Sequence, residues 1–203
     1  MSAALDLARL SPGFSDPGIE SQRLFRRLME ATARPGRTET AADAPAPPEG
    51  VSRAAGAVLL TLCDQETPLW LAPRLARAEA AGWLRFHCGS PVTDRAAEAA
   101  FALAGPDDLP ALADFSMGDP KYPDRSTTLV LDLAALDGGP MVRLEGPGIL
   151  DAASIAPVGL PAGFWAERAD LAPLFPCGLD IILTAGDRFV CLPRTTRALV
   201  SEG

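Results

Sequence analysis

Residues 179–193, LDIILTAGDRFVCLP, limit the possible folds more than any other stretch. Two apolar runs of strand length flank Ala-Gly-Asp, a short connection that brings two strands together antiparallel. A hairpin of this kind makes an all-parallel sheet unworkable. Upstream, TTLVLDLA (127–134) is a near-continuous apolar run. Such a run suits a strand covered on both faces. A sheet that is buried on two sides yet contains a hairpin is a mixed sheet between helices.

The rest of the chain supplies elements for that sheet. IESQRLFRRLMEATARPG (19–36) places Leu24, Phe25, Leu28 and Met29 on one helical face and stops at Pro35–Gly36. AVLLTLC (57–63) reads as a buried strand, and PLWLA (68–72) as a second short one. PRLARAEAAG (73–82) reads as a short helix ending at Gly82, and WLRFHC (83–88) as a strand. TDRAAEAAF (93–101) has Thr93 as a candidate N-cap before helix formers. PDDLPALADF (106–115) reads as a helix of about two turns, and FSMGDPKYPDRS (115–126) as a polar loop. MVRLEG (141–146) reads as a strand and PAGFWAERADLAPL (161–174) as an amphipathic helix. Strands interleaved with helices give an α/β class with a mixed sheet. Residues 1–18 form an arm with two Pro-Gly punctuated segments, and 37–55, rich in Ala and Pro, forms a surface loop. The whole chain, 1–203, reads as a single domain.

Composition excludes several functions. The net charge is −8, which disfavours nonspecific binding to nucleic acid or to an anionic membrane. The first residues, MSAALDLARL, lack a basic segment followed by an apolar core, and no apolar run reaches membrane-span length. Cys63, Cys88, Cys177 and Cys191 show no C-x-x-C spacing and read as reduced thiols of a cytoplasmic protein. A metal site is disfavoured by the same lack of ligand spacing. Lys121 is the only lysine, so Schiff-base chemistry could occur nowhere else.

His87 is the only histidine and precedes Cys88. On a strand, neighbouring side chains point to opposite faces, which argues against a Cys–His dyad. A structural or interface role for His87 is favoured. No G-x-S-x-G motif is present, and Ser90, before Pro91, reads as a turn residue. The arginines offer more. Arginine's planar fork suits phosphate, phosphonate and carboxylate. Arg194 lies in LPRTTR, with Thr195 and Thr196 beside it. Together with Arg27 of the first helix and Arg125 after Tyr-Pro-Asp, these residues are candidates for holding an anion. Asp64, Asp124 and Asp180 flank strands and could instead pair with arginines. No self-contained catalytic constellation emerges.

Five segments, taken together, are more specific: FRRLMEATARPG (25–36), VLLTLCDQETPLWL (58–71), LRFHCGSP (84–91), TLVLDLAALDGGPMVRLEGPGI (128–149) and FPCGLDIILTAGDRFVCLPRTTR (175–197). In this order the chain resembles the PhnH family, subunits of the bacterial carbon–phosphorus lyase core complex. The resemblance implies a three-layer αβα fold similar to that of pyridoxal-phosphate-dependent transferases, without that cofactor. It also implies a homodimer that joins PhnG, PhnI and PhnJ in phosphonate breakdown. The assembled machinery then joins a phosphonate to the ribose of ATP, giving a ribose 1-phosphonate 5-triphosphate. Within it, this chain would act by assembly or through an anion-binding surface that meets phosphonate or ATP. The alternative is a stand-alone transferase of the pyridoxal-phosphate fold, using Lys121.

Overall fold

A computed structural model describes residues 10–77 and 79–200. Helix α1 runs Pro17–Ala33, started by Asp16, whose carboxylate accepts the Ile19 N–H at 3.1 Å. It is followed by β1 (Thr38–Thr40), α2 (Arg53–Leu62), β2 (Leu69–Leu71), α3 (Pro73–Ala76), α4 (Glu79–Cys88), β3 (Val92–Thr93) and β4 (Phe101–Ala104). Next come β5 (Met117–Asp119), β6 (Tyr122–Ser126), β7 (Thr128–Asp132), β8 (Val142–Glu145) and β9 (Ala153–Ile155). The chain closes with α5 (Phe164–Asp170), β10 (Asp180–Ala185), β11 (Arg188–Leu192) and β12 (Arg197–Val200).

Seven strands form the main sheet in the order β1-β11-β10-β7-β4-β2-β3. Only β11 runs against the others. The expected hairpin is β10–β11, with Ile181 opposite Leu192 and Ala185 opposite Arg188. The apolar run TLVLD is β7, a central strand whose Leu129, Val130 and Leu131 are fully buried. The mixed α/β class is therefore the observed one. Helix α2 packs against both α1 and α4, and it lies over β7, β10 and β11. A separate antiparallel sheet, β12-β8-β9, packs through β12 on α5.

Two apolar segments expected to be strands are helices. AVLLTL belongs to α2, which begins at Ser52, whose Oγ accepts the Ala55 N–H at 3.1 Å. Because α2 packs against α1, α4 and the sheet, it is apolar nearly all round. An apolar run without a polar face carries no period that separates helix from strand. Gly56 allows the close packing here, since a Cβ would lie 2.9 Å from Pro47 and 3.2 Å from Trp83. WLRFHC is the second half of α4, which continues through Gly82. Its buried positions Ala80, Trp83 and Leu84 have helical spacing. Packing of Trp83 outweighs the roughly 1 kcal/mol helix penalty of a glycine.

Four further expectations change. The segment after Thr93 is not a helix: Val92–Thr93 is an edge strand, followed by a 3-10 turn at Ala96–Glu98 and then β4. The helix expected at 106–115 is two separate 3-10 turns, Pro106–Asp108 and Leu112–Asp114. The polar loop at 115–126 is the β5–β6 hairpin. Its Asp119 accepts the Lys121 and Tyr122 N–H groups at 2.9 Å each, an Asx turn that replaces the expected loop. The segment 37–55 contributes β1 to the sheet before reaching α2. Arg53 fastens it by donating to the Ala44 carbonyl at 2.8 Å. Of the expected N-terminal arm, residues 1–9 lie outside the described residues, and Ser11 to Gly13 lie against α4.

Candidate functional site

The parallel strands β4, β7 and β10 begin level with one another, Phe101 opposite Thr128 and Thr128 opposite Asp180. The chain returns to this edge at Arg194, just past β11. The edge holds two features, a guanidinium clamp and an apolar groove.

The clamp is Arg194. Its Nε donates to Asp180 Oδ1 at 3.2 Å, and Nη2 donates to Asp180 Oδ2 and to Ser126 Oγ, each at 2.6 Å. Nη1 donates to the carbonyls of Pro123 at 2.8 Å and Pro176 at 3.2 Å. The Arg194 backbone N–H adds a bond to Asp180 Oδ1 at 2.8 Å. A guanidinium carries five N–H donors, and all five are engaged within the chain. The pairing with Asp180 that strand-flanking position suggested is thus realised. Arg194 ties β10 to the β5–β6 hairpin and to the segment before β10. It has no donor left for an external anion.

The other four candidate residues do not converge on it. Thr196 is buried and its carbonyl accepts from Arg168 Nη1 at 2.7 Å, while its own Oγ1 has no partner among the described residues. Thr195 is half-buried, with its carbonyl against Gly146. Arg125 is exposed, its guanidinium 4.0 Å from the centre of the Tyr122 ring, a cation–π stack. Arg27 donates to the Thr40 carbonyl at 2.8 Å and pairs with Asp43 at 3.2 Å. Thr40 pairs with Arg188, and Arg188 with Ala185, the last residue of β10. Asp180, held by Arg194, is the first residue of that strand. Five residue steps of strand separate the two ends by about 16 Å. Arg27, bonded to the last residue of β1, and Arg194, bonded to the first residue of β10, therefore lie at opposite strand-end edges of the main sheet, and the structure does not bring these residues together.

The groove lies beside the clamp. It has a volume of about 260 Å³ and is lined by Phe25, Leu28, Met29, Leu62, Phe101 and Asp180 among others. Phe25 is 46% and Met29 56% exposed, an apolar stripe next to the buried face of α1. Exposed aromatic and methionine side chains in a groove suit contact with another protein surface.

Away from this edge, His87 lies on α4. Its Nε2 is 3.1 Å from the Ser11 carbonyl, and its ring meets Trp83 edge-on at 5.6 Å. Trp83 Nε1 donates to the same carbonyl at 2.9 Å. Gly13 lies so close that a Cβ there would be 2.5 Å from His87 Nδ1. His87 fastens the arm to the helix. Cys88 Sγ is directed elsewhere, 3.7 Å from the Leu59 carbonyl. The strand argument against a dyad falls with the strand, but these separate contacts lead to the same conclusion. Burial pushes the Cys88 and Cys191 thiols up to about 12, and Cys63 higher still. These are not activated thiols. Ser90 is buried and donates to the Thr67 carbonyl at 2.5 Å. Lys121 is exposed at the tip of the β5–β6 hairpin, 5.1 Å from the Tyr122 ring centre. A Schiff-base lysine is desolvated in a pocket, so the alternative of a transferase built on Lys121 is not supported.

Two buried groups escaped sequence reasoning. Asp132 ends β7, accepting the Ser52 N–H at 2.7 Å and the Thr184 hydroxyl at 2.9 Å. Burial raises its pKa, opposed by these bonds and by Arg74. It joins the carboxyl ends of β7 and β10 to the start of α2. Arg168 is the other, on the buried side of α5 with Phe164 one turn before it. The i,i+4 spacing from Phe164 is the one sign of its burial that the sequence carried.

The fold and this edge define a mixed α/β protein whose strand exit is built for internal cohesion, with an apolar groove open beside it. Among the described residues, no three His, Cys, Asp or Glu side chains gather as a metal site, and no helix is long and apolar enough to cross a membrane. Residues 12–199 match the family described as bacterial phosphonate metabolism protein (PhnH). The chain belongs to that family. It is 45% identical over 188 residues to the subunit PhnH of alpha-D-ribose 1-methylphosphonate 5-triphosphate synthase from Rhizobium meliloti (strain 1021), covering 92% of this chain and 94% of the relative. It is also 34% identical over 175 residues to HtxG of Stutzerimonas stutzeri, which carries the provisional name of a C-P lyase subunit protein, covering 86% of this chain and 84% of that one.

Proposed function

We propose that this chain serves as the PhnH subunit of a carbon–phosphorus lyase machinery, and that it supports formation of a ribose 1-phosphonate 5-triphosphate from phosphonate and ATP. The observation that carries the reading is the 45% identity to a subunit so named, over 92% of this chain and 94% of the relative. The subunit acts by assembly, as a homodimer that joins PhnG, PhnI and PhnJ in the cytoplasm. Two features favour assembly over a site of its own. The best anion candidate, Arg194, has every donor engaged internally. The exposed stripe of Phe25 and Met29 offers an apolar contact surface instead. The finer architecture that goes with this reading is the three-layer arrangement similar to pyridoxal-phosphate-dependent transferases.

The test is complementation. A strain lacking its own PhnH and supplied with this chain is expected to grow on methylphosphonate as sole phosphorus source. Tagged chain is expected to co-purify PhnG, PhnI and PhnJ. Soluble, folded chain that restores no growth and retains none of these partners refutes the proposal. Growth restored equally by Phe25→Asp and Met29→Asp variants would remove the groove from the assembly surface.

A further inference from the structure

Arg168 is a guanidinium in an unusual position. It is only 9% exposed, on the inner side of α5. Nη1 donates to the Thr196 carbonyl at 2.7 Å and Nη2 to the Pro193 carbonyl at 2.8 Å. Nε is buried without a partner among the described residues. Both partners are neutral, and no carboxylate pairs with Arg168 among the described residues. Asp180, the acid that acts on it through space, is bound to Arg194. Burial lowers the Arg168 pKa to about 10, still leaving it cationic at neutral pH.

Arg168 and Arg194 line the same small cavity, walled by Leu171, Phe175, Cys177 and Leu179. Its volume is about 20 Å³, room for one water-sized occupant. Two guanidiniums thus line one small cavity, and the one carboxylate near them is bound to Arg194. A water molecule would bond to Nε–H and leave the charge uncompensated. Buried charges in proteins are paired. A phosphonate or phosphate group, with several heavy atoms, exceeds this cavity, whereas a single-atom anion fits it and answers both deficits. We propose that the cavity between Arg168 and Arg194 binds one monoatomic halide, chloride under cellular conditions. The ion completes the surroundings of Arg168, and Arg168 in turn holds the Pro193–Thr196 turn between β11 and β12. The site is independent of the assembly reading above.

Crystals of the full chain soaked in bromide decide the matter. An anomalous peak within hydrogen-bond reach of Arg168 Nε is expected, and it is lost in Arg168→Met. If Arg168→Met fails to fold, competition of the wild-type peak by added chloride provides the same control. Thermal unfolding gives the solution counterpart. At a hundredfold excess over Kd, chloride is expected to raise Tm by about 5–11 °C over gluconate at equal ionic strength. A water without anomalous signal at that position, with equal Tm in chloride and gluconate, overturns the proposal. A peak confined to surface positions, an adventitious ion only, overturns it as well.

Discussion

Replacing Arg194 by alanine separates a structural clamp from a ligand site. The change removes five side-chain hydrogen bonds and leaves Asp180 and Ser126 without their partner. Breaking a fully buried pair by removing one member costs about 3–5 kcal/mol. Here the Arg194 side chain is 16% and the Asp180 side chain 36% exposed, so water can take over part of the carboxylate's solvation. The expected loss is therefore about 2–3 kcal/mol. In a chain of this length that corresponds to a fall in Tm of roughly 4–12 °C. Urea unfolding at neutral pH measures it, and an unchanged m-value shows that the native and denatured states are otherwise comparable. Arg194→Lys keeps the charge but offers three donors on a flexible stem, so it is expected to recover less than half of the loss. Stability within about 0.5 kcal/mol of wild type in Arg194→Ala, together with lost growth on methylphosphonate, would refute the clamp and restore Arg194 as a ligand-binding residue.

Other outcomes follow from the packing. Leu59→Ala, at a fully buried position of α2, is expected to destabilise by about 2–5 kcal/mol, read by the same urea titration. His87→Ala removes the contact with the Ser11 carbonyl and the ring packing on Trp83. Faster proteolytic cleavage around residues 10–16 is expected, with phosphonate-dependent growth retained; loss of growth with the arm still protected would return His87 to a functional role. The buried thiols set an alkaline limit. Cys63, Cys88 and Cys191 have folded pKa values raised above the ordinary 9.0. Their contribution is full below pH 9 and is lost as pH rises toward about 12, because the unfolded chain releases these protons first. Stability is expected to fall above pH 9 with a slope of up to about 1.4 kcal/mol per pH unit for each thiol. A flat profile between pH 9 and 10.5 in urea unfolding would contradict that burial.

The sheet's centre was legible in the sequence because β7, β10 and β11 are short apolar runs with turn chemistry between them. The helical layer over it was less so. Residues 57–62 are apolar except for Thr61 because α2 packs on α1, α4 and the sheet, and contacts on so many sides erase the period that distinguishes helix from strand. At residues 83–88 the period was present in Ala80, Trp83 and Leu84, but Gly82 interrupted it and suggested a boundary. For the site, residue type alone left the role of each arginine open. Arg194 had the chemistry of an anion ligand, and its pairing with Asp180 fourteen residues earlier was one option among several. Its other partners, Ser126 and the carbonyls of Pro123 and Pro176, depend on how the β5–β6 hairpin folds back. That closure is tertiary, and only the fold could show that the guanidinium was already occupied. Arg168 illustrates the reverse case, a charged residue hidden on a helix face that its spacing from Phe164 marked as internal.

The seven-stranded sheet ends on β1, three residues long, and on β3, two residues long. Glu39 of β1 is paired with Arg37 at 2.8 Å, and Pro91 stands immediately before β3. A long flat margin with bare N–H and C=O groups would recruit further strands from other molecules. Margins this short, one carrying charge and the other following a residue without an N–H, give an incoming strand too few ladder bonds to hold. Lateral polymerisation is thus blocked at both ends of the sheet. The assembly proposed for this chain would therefore run through its side-chain surfaces, without its seven-stranded sheet acting as a template for fibres.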